Sequence, residues 1–336
     1  MKRIFHNVDL TDRNSFHVNQ SAETLVEFSS AEDLIEFFSH SRPKKWYVLG
    51  GGNNVLFTRD YDGVILTPCG RGISVVDQTA DSLTVRAEAG VEWDELVAWS
   101  VGRGLWGLEN LSLIPSSVGA APVQNIGAYG AEAGDTIVCV EYLSADDLSI
   151  VRLDAEACRF GYRDSIFKHE LKGRAVITAV EFCLSKRERP NLGYGDVVNE
   201  VEALGGATLG NIREAICSIR RRKLPDTAVM GNAGSFFKNP VVDAARADAL
   251  RSEYPDMPTY PAAGEGRVKL AAGWLIDRCG LKGYRDGRVG VHDRQALVLV
   301  NLGGATGAEV IELARTVRRR VFDKFGVEID MEVNVI

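Results

Sequence analysis

The stretch IPSSVGAAPVQNIGAYGAE, from Ile114 to Glu132, decides how we interpret this chain, and we call it the small-residue stretch. Nine of its 19 residues are Gly, Ala or Ser, and its larger polar side chains include Gln124, Asn125 and Tyr129. Glycine has no Cβ and tolerates positive φ, so such a run lets backbone approach another group very closely. Two interpretations stay open at this point. One is a tight strand-to-helix turn packed against other backbone, and the other is a cradle for an extended cofactor.

Length and composition indicate an ordinary globular protein of two or three domains. The chain has 336 residues, 45% of them hydrophobic and 25% charged. The net charge of −7 argues against a general nucleic-acid binder. The first ten residues, MKRIFHNVDL, lack the apolar core of a signal peptide, and no run reaches membrane-spanning length. We therefore expect a cytoplasmic protein with no nucleic-acid, membrane or obligate protein partner.

The cysteines point to a reducing compartment. The chain has six, at positions 69, 139, 158, 183, 217 and 279, and no two form a CxxC pair. Such spacing suits neither a zinc site nor a disulfide framework. We expect free thiols and no metal.

A second glycine-rich segment, GGGNN at 50–54, follows a predicted strand at 47–49, and we call it the glycine loop. Backbone N–H groups of such a loop can hold phosphate. The fingerprint G-x-G-x-x-G would need glycine where Val55 stands, and a strand or loop is predicted to follow, so a Rossmann site is not expected. Phosphate binding and a simple glycine hairpin both stay open.

The hydrophobic pattern predicts a mixture of helices and strands. Helices are expected at 29–39, with a capping box formed by Ser29 and Glu32, and at 91–103, 211–223, 241–251, 270–279 and 309–325. Strands are expected at 82–89, 138–142, 175–184, 295–301 and 327–336. In the last of these, Asp330 and Glu332 would share one face, and Val333 and Val335 the other.

Two polar residues outside the glycine-rich segments are candidates for chemistry. Arg163, in FGYRDSIFK, carries a permanent charge and a planar fork suited to a carboxylate, although a surface pair with Asp164 is the simpler interpretation. Ser235, in GNAGSFFKNP, lacks the G-x-S-x-G context and a neighbouring histidine. It is therefore better suited to donating a proton or binding a ligand than to nucleophilic attack, and a turn serine is the structural alternative. The basic run at 220–223 is interpreted as a solvated helix end, because cations are favourable there.

These motifs, in this order, resemble the family of UDP-N-acetylenolpyruvoylglucosamine reductases, the flavoenzymes of peptidoglycan precursor synthesis. The resemblance is carried by GGGNNVLF (50–57), the small-residue stretch, GYRDSIFK (161–168), GNAGSFFKNP (231–240), AGWLID (272–277) and HDRQALVLVN (292–301). The NLGYGD segment at 191–196, here called the Tyr194 loop, is similar to the subtype whose tyrosine covers the bound substrate.

The resemblance implies an α+β fold with an FAD-binding part of the vanillyl-alcohol-oxidase (PCMH) type. Its two subdomains would span 1–70 and 71–222. A C-terminal α+β substrate domain would span 223–336, and its final strand would return Glu332 to the site.

The resemblance also implies which residues hold FAD. They would come from the glycine loop and the small-residue stretch: Gly50, Gly51, Gly52, Asn53, Asn54, Pro115, Ser116, Ser117, Gly119, Ala120, Gln124, Asn125, Gly127, Ala128 and Tyr129. Related oxidases often attach flavin through a histidine in the glycine loop, whereas Asn53 and Asn54 stand here. Non-covalent FAD is therefore expected.

The implied reaction reduces UDP-N-acetylglucosamine enolpyruvate to UDP-N-acetylmuramate, with NADPH as the co-substrate that reduces the flavin. Arg163 and Glu332 would stabilise the enolate, which for Glu332 requires a held or shared proton, and Ser235 would donate the proton. Four residues would surround the sugar nucleotide: Tyr194, Lys223, Asn239 and Gln295.

Three positions depart from the family pattern. Asn53 stands where serine is commoner, Ser116 where glycine is usual, and Asn334 where arginine usually follows Glu-Val. Two further interpretations compete with the reductase: a flavin oxidase of the same fold acting on a sugar or lactone, and a nucleotide-sugar binding protein without catalysis.

Overall fold

Helices and strands alternate in the computed structural model, which describes residues 2–336. The helices are α1 Ala31–Ser41, α2 Trp93–Val101, α3 Val197–Ala203, α4 Leu209–Lys223, α5 Ala244–Glu253, α6 Ala272–Arg278 and α7 Gly307–Phe325. None of the helices between residues 2 and 336 combines the length and apolar composition that a bilayer span requires.

The strands are short and numerous. They are β1 Arg3–Asp9, β2 Ser21–Phe28, β3 Trp46–Val48, β4 Val55–Leu56, β5 Tyr61–Pro68, β6 Ile73–Gln78, β7 Ser82–Glu88, β8 Gly127–Ala128, β9 Ala131–Glu132, β10 Ile137–Ser144, β11 Ile150–Asp154, β12 Ala175–Ser185, β13 Gly231–Ser235, β14 Val241–Asp243, β15 Thr259–Pro261, β16 Arg267–Leu270, β17 Arg285–Asp286, β18 Val289–Val291, β19 Val298–Asn301 and β20 Asn334–Val335.

Contacts between residues divide the chain into two units. The first unit comprises 2–8, 22–51 and 62–222. The second unit comprises Asp9–Ser21, Gly52–Tyr61 and Lys223–Ile336.

Two sheets build the first unit. One has the order β1-β2-β5-β3, with β3 parallel to β5. The other has the order β11-β10-β12-β7-β6 and is antiparallel throughout. The apolar face of α1 packs into a core that also contains Leu66 of β5 and Val176 of β12, so this helix ties the two sheets together.

Helix α2 shows how the hydrophobic pattern translates into packing. Trp93 and Leu96 are fully buried. The Trp93 ring stands edge-on to Phe182 of β12, and its indole N–H donates to the carbonyl of Leu111 at 2.9 Å. Trp106, also buried, forms a separate core with α3 and α4. Trp93 and Trp106 are therefore core residues, whereas Trp99 of α2 is only partly buried.

The second unit holds the small sheets β13-β19-β18-β17 and β14-β16-β15, the pair β20-β4, and helices α5 to α7. Tyr254, Trp274 and Phe325 form a cluster of three aromatic rings among these helices. Helix α7 begins with a capping box of Thr306 and Glu309 and ends at Gly326 in the left-handed region.

Two segments from the first quarter of the chain belong to the second unit because glycines let them pack there. A Cβ on Gly231 would collide with the carbonyl of Phe16, and one on Gly307 with the carbonyl of Phe57. The side-chain amide of Asn301 donates to the Phe16 carbonyl at 2.8 Å. Such backbone contacts leave no room for a larger residue at either glycine.

Several local predictions need correction. The cap of α1 is Ser30, which accepts from Asp33 N, so the capping box assigned to Ser29 and Glu32 is wrong by one residue. The helix predicted from 241 begins at Ala244, because 241–243 pair with β16.

The predicted strand at 327–336 is also wrong in part. Only Asn334–Val335 forms a strand, and Val335 is exposed, whereas Val333 is buried. The rest of the segment is extended and makes only isolated contacts with residues 236–238.

All six cysteines are free thiols, as predicted. Burial raises the pKa of Cys158 to about 12, which keeps this thiol protonated and unreactive at neutral pH.

Candidate active site

The first part of the small-residue stretch lies directly on neighbouring backbone. Val118 N donates to the carbonyl of Val91 at 2.9 Å, and Gly119 N to that of Ala89 at 2.9 Å. A Cβ on Gly119 would lie 2.6 Å from the Cβ of Ala89. The backbone-packing interpretation is therefore correct for this face of the stretch, and it does not exclude a ligand on the other face.

Ser117 is the residue of the stretch whose side chain is best suited to bind a ligand. Its side chain is 4% exposed, and its hydroxyl finds no hydrogen-bond partner among residues 2–336. A Cβ on Gly50 would lie 2.6 Å from this Oγ, so the glycine loop meets the small-residue stretch here. A buried polar group without a partner costs about 1–3 kcal/mol, which makes this hydroxyl a fitting donor to a polar cofactor.

The glycine loop presents backbone donors. Within the described part of the chain, the N–H groups of residues 50–53 donate to no protein acceptor. Gly52 has φ +66°, and a Cβ there would collide with the carbonyl of Arg13. Strands β3 and β4 on either side pair with β5 and β20, not with each other. The glycine-hairpin interpretation is therefore wrong, and the free N–H groups suit an anion.

The second part of the stretch forms a tight hairpin. Strands β8 and β9 pair through Ala128 and Ala131, with Tyr129 at φ 50° and Gly130 at φ +80° in the turn. Burial raises the pKa of the Tyr129 hydroxyl, and the nearby positive charge of Arg220 opposes that shift. A non-glycine residue at positive φ carries strain, so the fold holds Tyr129 in this place.

Asn125 uses its whole side chain within the protein. Its Nδ2 donates to Glu132 at 2.6 Å and to the carbonyl of Gly161 at 3.1 Å, while its Oδ1 accepts from Gly134 N at 2.8 Å. The amide therefore shapes the stretch and ties it to the segment that carries Arg163.

Arg163 lies against the small-residue stretch. Its Nη2 donates to the carbonyl of Gly127, and its Nη1 lies 3.5 Å from that of Asn125. A Cβ on Gly127 would lie 2.9 Å from Nη1, so the missing side chain makes room for the guanidinium. Asp164, the ion partner considered for Arg163, hydrogen-bonds with His169 at 2.9 Å.

Leu113, one residue before the stretch, is held at both backbone groups. It has φ 59°, its N–H donates to Asp94 at 2.6 Å, and its carbonyl accepts from Arg220 Nε at 3.1 Å. Burial would raise the pKa of Asp94, but hydrogen bonds from Arg213 and Leu113 N outweigh it and hold that pKa low.

Arg220 departs from the solvated helix end that the basic run suggested. It is partly buried, burial lowers its pKa, and among the described residues it forms no ion pair with a carboxylate. Its neighbours Arg221 and Arg222 are exposed and pair with Glu214 and Glu200, so the solvated interpretation holds for these two residues.

Ser235, in the second unit, follows a bulge in its strand. The register between β13 and β19 shifts between Asn232 and Ser235, and Gly234 has φ +66°. Phe236 and Phe237 are buried behind it. The structure therefore presents Ser235 at the end of a strand, next to these two buried rings.

Glu332 runs beside Ser235 on a neighbouring backbone. Glu332 N donates to the carbonyl of Phe236 at 2.8 Å, and Phe237 bridges Met331 in antiparallel fashion. The second unit thus runs the segment that carries Glu332 alongside Phe236 and Phe237, the two residues after Ser235, although the two segments are almost 100 positions apart in sequence.

Asn334 anchors the end of the chain to the glycine loop. Its Nδ2 donates to the carbonyl of Asn54 at 2.9 Å, and Asn54 Nδ2 lies 3.5 Å from the carbonyl of Glu332. The departure from the usual arginine therefore gives a short side chain that fixes the last strand beside this loop.

Asn239 and Gln295 flank the start of α6. Asn239 Oδ1 accepts from Ala272 N at 2.9 Å, and Gln295 Oε1 would lie 3.3 Å from a Cβ on Gly273. The buried ring of His292 holds the turn before Gln295, since its Nδ1 accepts from Gln295 N at 3.3 Å.

The residues singled out from the sequence fall in both units. The first unit contains Gly50, Gly51, Pro115, Ser116, Ser117, Gly119, Ala120, Gln124, Asn125, Gly127, Ala128, Tyr129, Arg163 and Tyr194. The second contains Gly52, Asn53, Asn54, Lys223, Ser235, Asn239, Gln295 and Glu332.

Comparison with known proteins identifies two regions of the chain. Residues 22–153 match the family model described as an FAD binding domain, and residues 225–336 match the model of the C-terminal domain of UDP-N-acetylenolpyruvoylglucosamine reductase. The UDP-N-acetylenolpyruvoylglucosamine reductase of Pseudomonas aeruginosa is 50% identical over 326 residues, which cover 96% of this chain and 96% of that protein.

Solved structures agree. The crystal structure of UDP-N-acetylenolpyruvylglucosamine reductase from Thermus caldophilus superposes with a TM-score of 0.70 and 26% identity, covering 100% of this chain and 99% of that one. The 6-hydroxy-D-nicotine oxidase of Arthrobacter nicotinovorans shares the fold, with a TM-score of 0.50 and 13% identity over 98% of this chain and 87% of its own. The predicted α+β FAD-binding fold of the PCMH type is confirmed.

Proposed function

The chain belongs to the UDP-N-acetylenolpyruvoylglucosamine reductase family, and on that premise we propose that it reduces UDP-N-acetylglucosamine enolpyruvate to UDP-N-acetylmuramate with NADPH. It is an FAD-dependent oxidoreductase of peptidoglycan precursor synthesis. The division into subdomains 1–70 and 71–222 and a substrate domain 223–336, and the cytoplasmic location, are parts of the proposal.

The residues present fit FAD. The donor-rich glycine loop and the unpartnered hydroxyl of Ser117 would hold its diphosphate, and the remaining cofactor residues of the small-residue stretch would contact the rest of it. The absence of histidine from the glycine loop suits non-covalent binding. Bound FAD supplies the hydride that reduces the alkene.

Two side chains would stabilise the charge that develops on the substrate. Hydride addition to the terminal alkene carbon leaves an enolate conjugated with the carboxylate, so fixed donors around it lower the barrier most. Arg163 offers a permanently charged guanidinium that is already held against Gly127. Glu332 would have to hold a proton to act as a donor.

Ser235 would donate the proton to the enolate carbon. The observation that supports this proposal is the backbone pairing of Glu332 with Phe236, the residue directly after Ser235, in the second unit. A hydroxyl is a weak acid, so water or Lys223 would replace its proton after each turnover. Tyr194, Lys223, Asn239 and Gln295 would bind the sugar nucleotide.

An anaerobic experiment with two separate steps tests this function. The purified protein is first mixed with NADPH or NADH while the visible flavin absorption is followed, and the enolpyruvyl sugar nucleotide is then added. We expect bleaching by NADPH and recovery of the flavin band only with the sugar nucleotide. A colourless protein would support a binding protein, and rapid reoxidation by oxygen without the sugar nucleotide would support an oxidase.

A further inference from the structure

One buried side chain joins the small-residue stretch to the Tyr194 loop. Asn110 is 2% exposed, and its Nδ2 donates to the carbonyl of Tyr129 at 2.8 Å and to the carbonyl of Asn191 at 2.8 Å. Tyr129 belongs to the small-residue stretch, and Asn191 begins the Tyr194 loop. A single amide therefore holds two backbones that are distant in sequence.

A second asparagine, Asn191, adds a hydrogen bond from the Tyr194 loop back to the small-residue stretch. Asn191 Nδ2 donates to the carbonyl of Gly130 at 2.9 Å. A Cβ on Gly130 would lie 3.4 Å from the side-chain amide atoms of Asn191 and 3.6 Å from the Cβ of Tyr194. Gly130 thus leaves the room that the loop needs to approach the hairpin.

Two tyrosine rings complete the contact. The rings of Tyr129 and Tyr194 stand edge to face, with centroids 6.0 Å apart and an interplanar angle of 88°. Tyr129 is itself fixed by its positive φ and by Arg220. Tyr194 is 41% exposed, so one side of its ring faces solvent while the other side contacts Tyr129.

The side-chain amide of Asn110 is only partly satisfied. Its Oδ1 is buried and has no hydrogen-bond partner in the described chain, which is unfavourable. An apolar side chain would avoid this unsatisfied acceptor, but it would also lose both donors to the two carbonyls.

We propose that Asn110 and Asn191 are positioning residues for the reductase reaction: they hold the Tyr194 loop on the small-residue stretch and so preset the placement of Tyr194 for the sugar nucleotide. The inference rests on the proposed function, in which Tyr194 binds that substrate. A loop held before the ligand arrives loses less conformational freedom on binding.

The test compares Asn191→Ala with the wild type and with Asn211→Ala. Asn211 is a matched control, because its side-chain amide also donates to backbone carbonyls of the first unit, those of Leu204 at 3.1 Å and Gly206 at 2.8 Å. Leu192 packs against the core around Trp106, so Asn191→Ala releases the hydrogen bond without detaching the whole loop.

Two readouts separate positioning from general stability. Amide hydrogen exchange, measured on the FAD-loaded protein without substrate, should rise about 3- to 10-fold for residues 190–197 in Asn191→Ala only. The dissociation constant of the sugar nucleotide should rise about 3- to 10-fold in the same variant, while FAD affinity stays that of the wild type. Asn191→Asp, which keeps the shape but removes the donor, should behave in the same way.

Loop exchange in both Asn191 variants equal to that of the wild type would overturn the proposal. So would faster exchange with an unchanged affinity for the sugar nucleotide. Failure of the proposed function is recognised separately, because wild-type protein would then not bind the sugar nucleotide at all, whereas the exchange experiment needs none.

Discussion

The guanidinium of Arg163 occupies the space that a side chain on Gly127 would fill: a Cβ on Gly127 would lie 2.9 Å from Arg163 Nη1. A proposed cofactor residue and a proposed catalytic residue, 36 positions apart, therefore depend on each other's shape. A substitution at Gly127 therefore tests the position of Arg163.

Gly127→Ala should displace Arg163 and slow transfer to the sugar nucleotide. Because small misplacements of a catalytic group are costly, we expect the rate of the second half-reaction to fall about 10- to 100-fold. Stopped-flow absorbance of the pre-reduced flavin measures it. Gly210→Ala is the control, since a Cβ on Gly210 meets nothing within 4 Å, and it should react like the wild type. An unchanged rate in Gly127→Ala would mean that Arg163 does not act from this position.

Ser235→Ala should slow only the step that needs a proton. We expect flavin reduction by NADPH to stay intact and the second half-reaction to slow about 10²- to 10⁴-fold. Ser252→Ala removes a hydroxyl that contacts only the carbonyl of Asp248 on α5, and it should leave both rates unchanged. Equal slowing of both half-reactions by Ser235→Ala would exclude the acid role.

Ser117→Ala should weaken FAD binding without destabilising the protein. The Ser117 hydroxyl has no partner among residues 2–336, so its removal should leave the FAD-free protein as stable as before or more so. The FAD dissociation constant, followed by flavin fluorescence, should rise about 3- to 10-fold.

Ser112 provides the matched comparison for that variant. Its buried hydroxyl donates to the carbonyl of Glu109 at 2.6 Å, so Ser112→Ala should lower the free energy of unfolding by about 1 kcal/mol. A loss of stability in Ser117→Ala, with FAD affinity retained, would assign the hydroxyl to the fold instead of the cofactor.

His292 should make substrate affinity depend on pH. Burial lowers its pKa below the ordinary 6.5, the contact with Asp293 opposes this and Arg294 adds to it. The stability contributed by the neutral ring is fully present above pH 6.5 and is lost as the pH falls through the lower folded-state pKa. Protonation also removes the acceptor for Gln295 N, so the KM for the sugar nucleotide should rise over the same window.

The pH profile of KM and of the melting temperature measures both effects. His292→Asn, which keeps an acceptor but does not titrate, should flatten the profiles. His40→Asn, which removes an exposed histidine of α1, should leave them as in the wild type. Wild-type profiles that match those of His292→Asn would contradict the role of the ring.

Local patterns predicted much of the fold. The alternation at 82–88 is that of β7, whose burial alternates residue by residue, and the apolar face of α2 contains Trp93 as expected. The error at α1 has a simple cause. Ser29 and Ser30 stand at equivalent spacing from Glu32 and Asp33, and the sequence does not decide between two overlapping caps.

The site was predictable only where a family motif marks it. Asn110 had no local signal, because its partners Tyr129 and Asn191 lie in other segments and the hydrogen bonds form only once the chain is folded. Arg220 was misjudged because a basic helix end is usually solvated, whereas here Leu113 and Tyr129 engage it. The pairing of Ser235 with the Glu332 segment likewise needs tertiary structure, since it joins residues almost 100 positions apart.

The composition of the second unit has a consequence for synthesis on the ribosome. Thr58, just after the glycine loop, donates to the carbonyl of Ile336, 278 positions later, and β4 pairs with β20. Domains generally fold as they emerge, N-terminal parts first. Here residues 52–61 can complete their contacts only after residues 334–336 have been translated, so the second unit of a nascent chain stays unfinished until that distant segment leaves the ribosome.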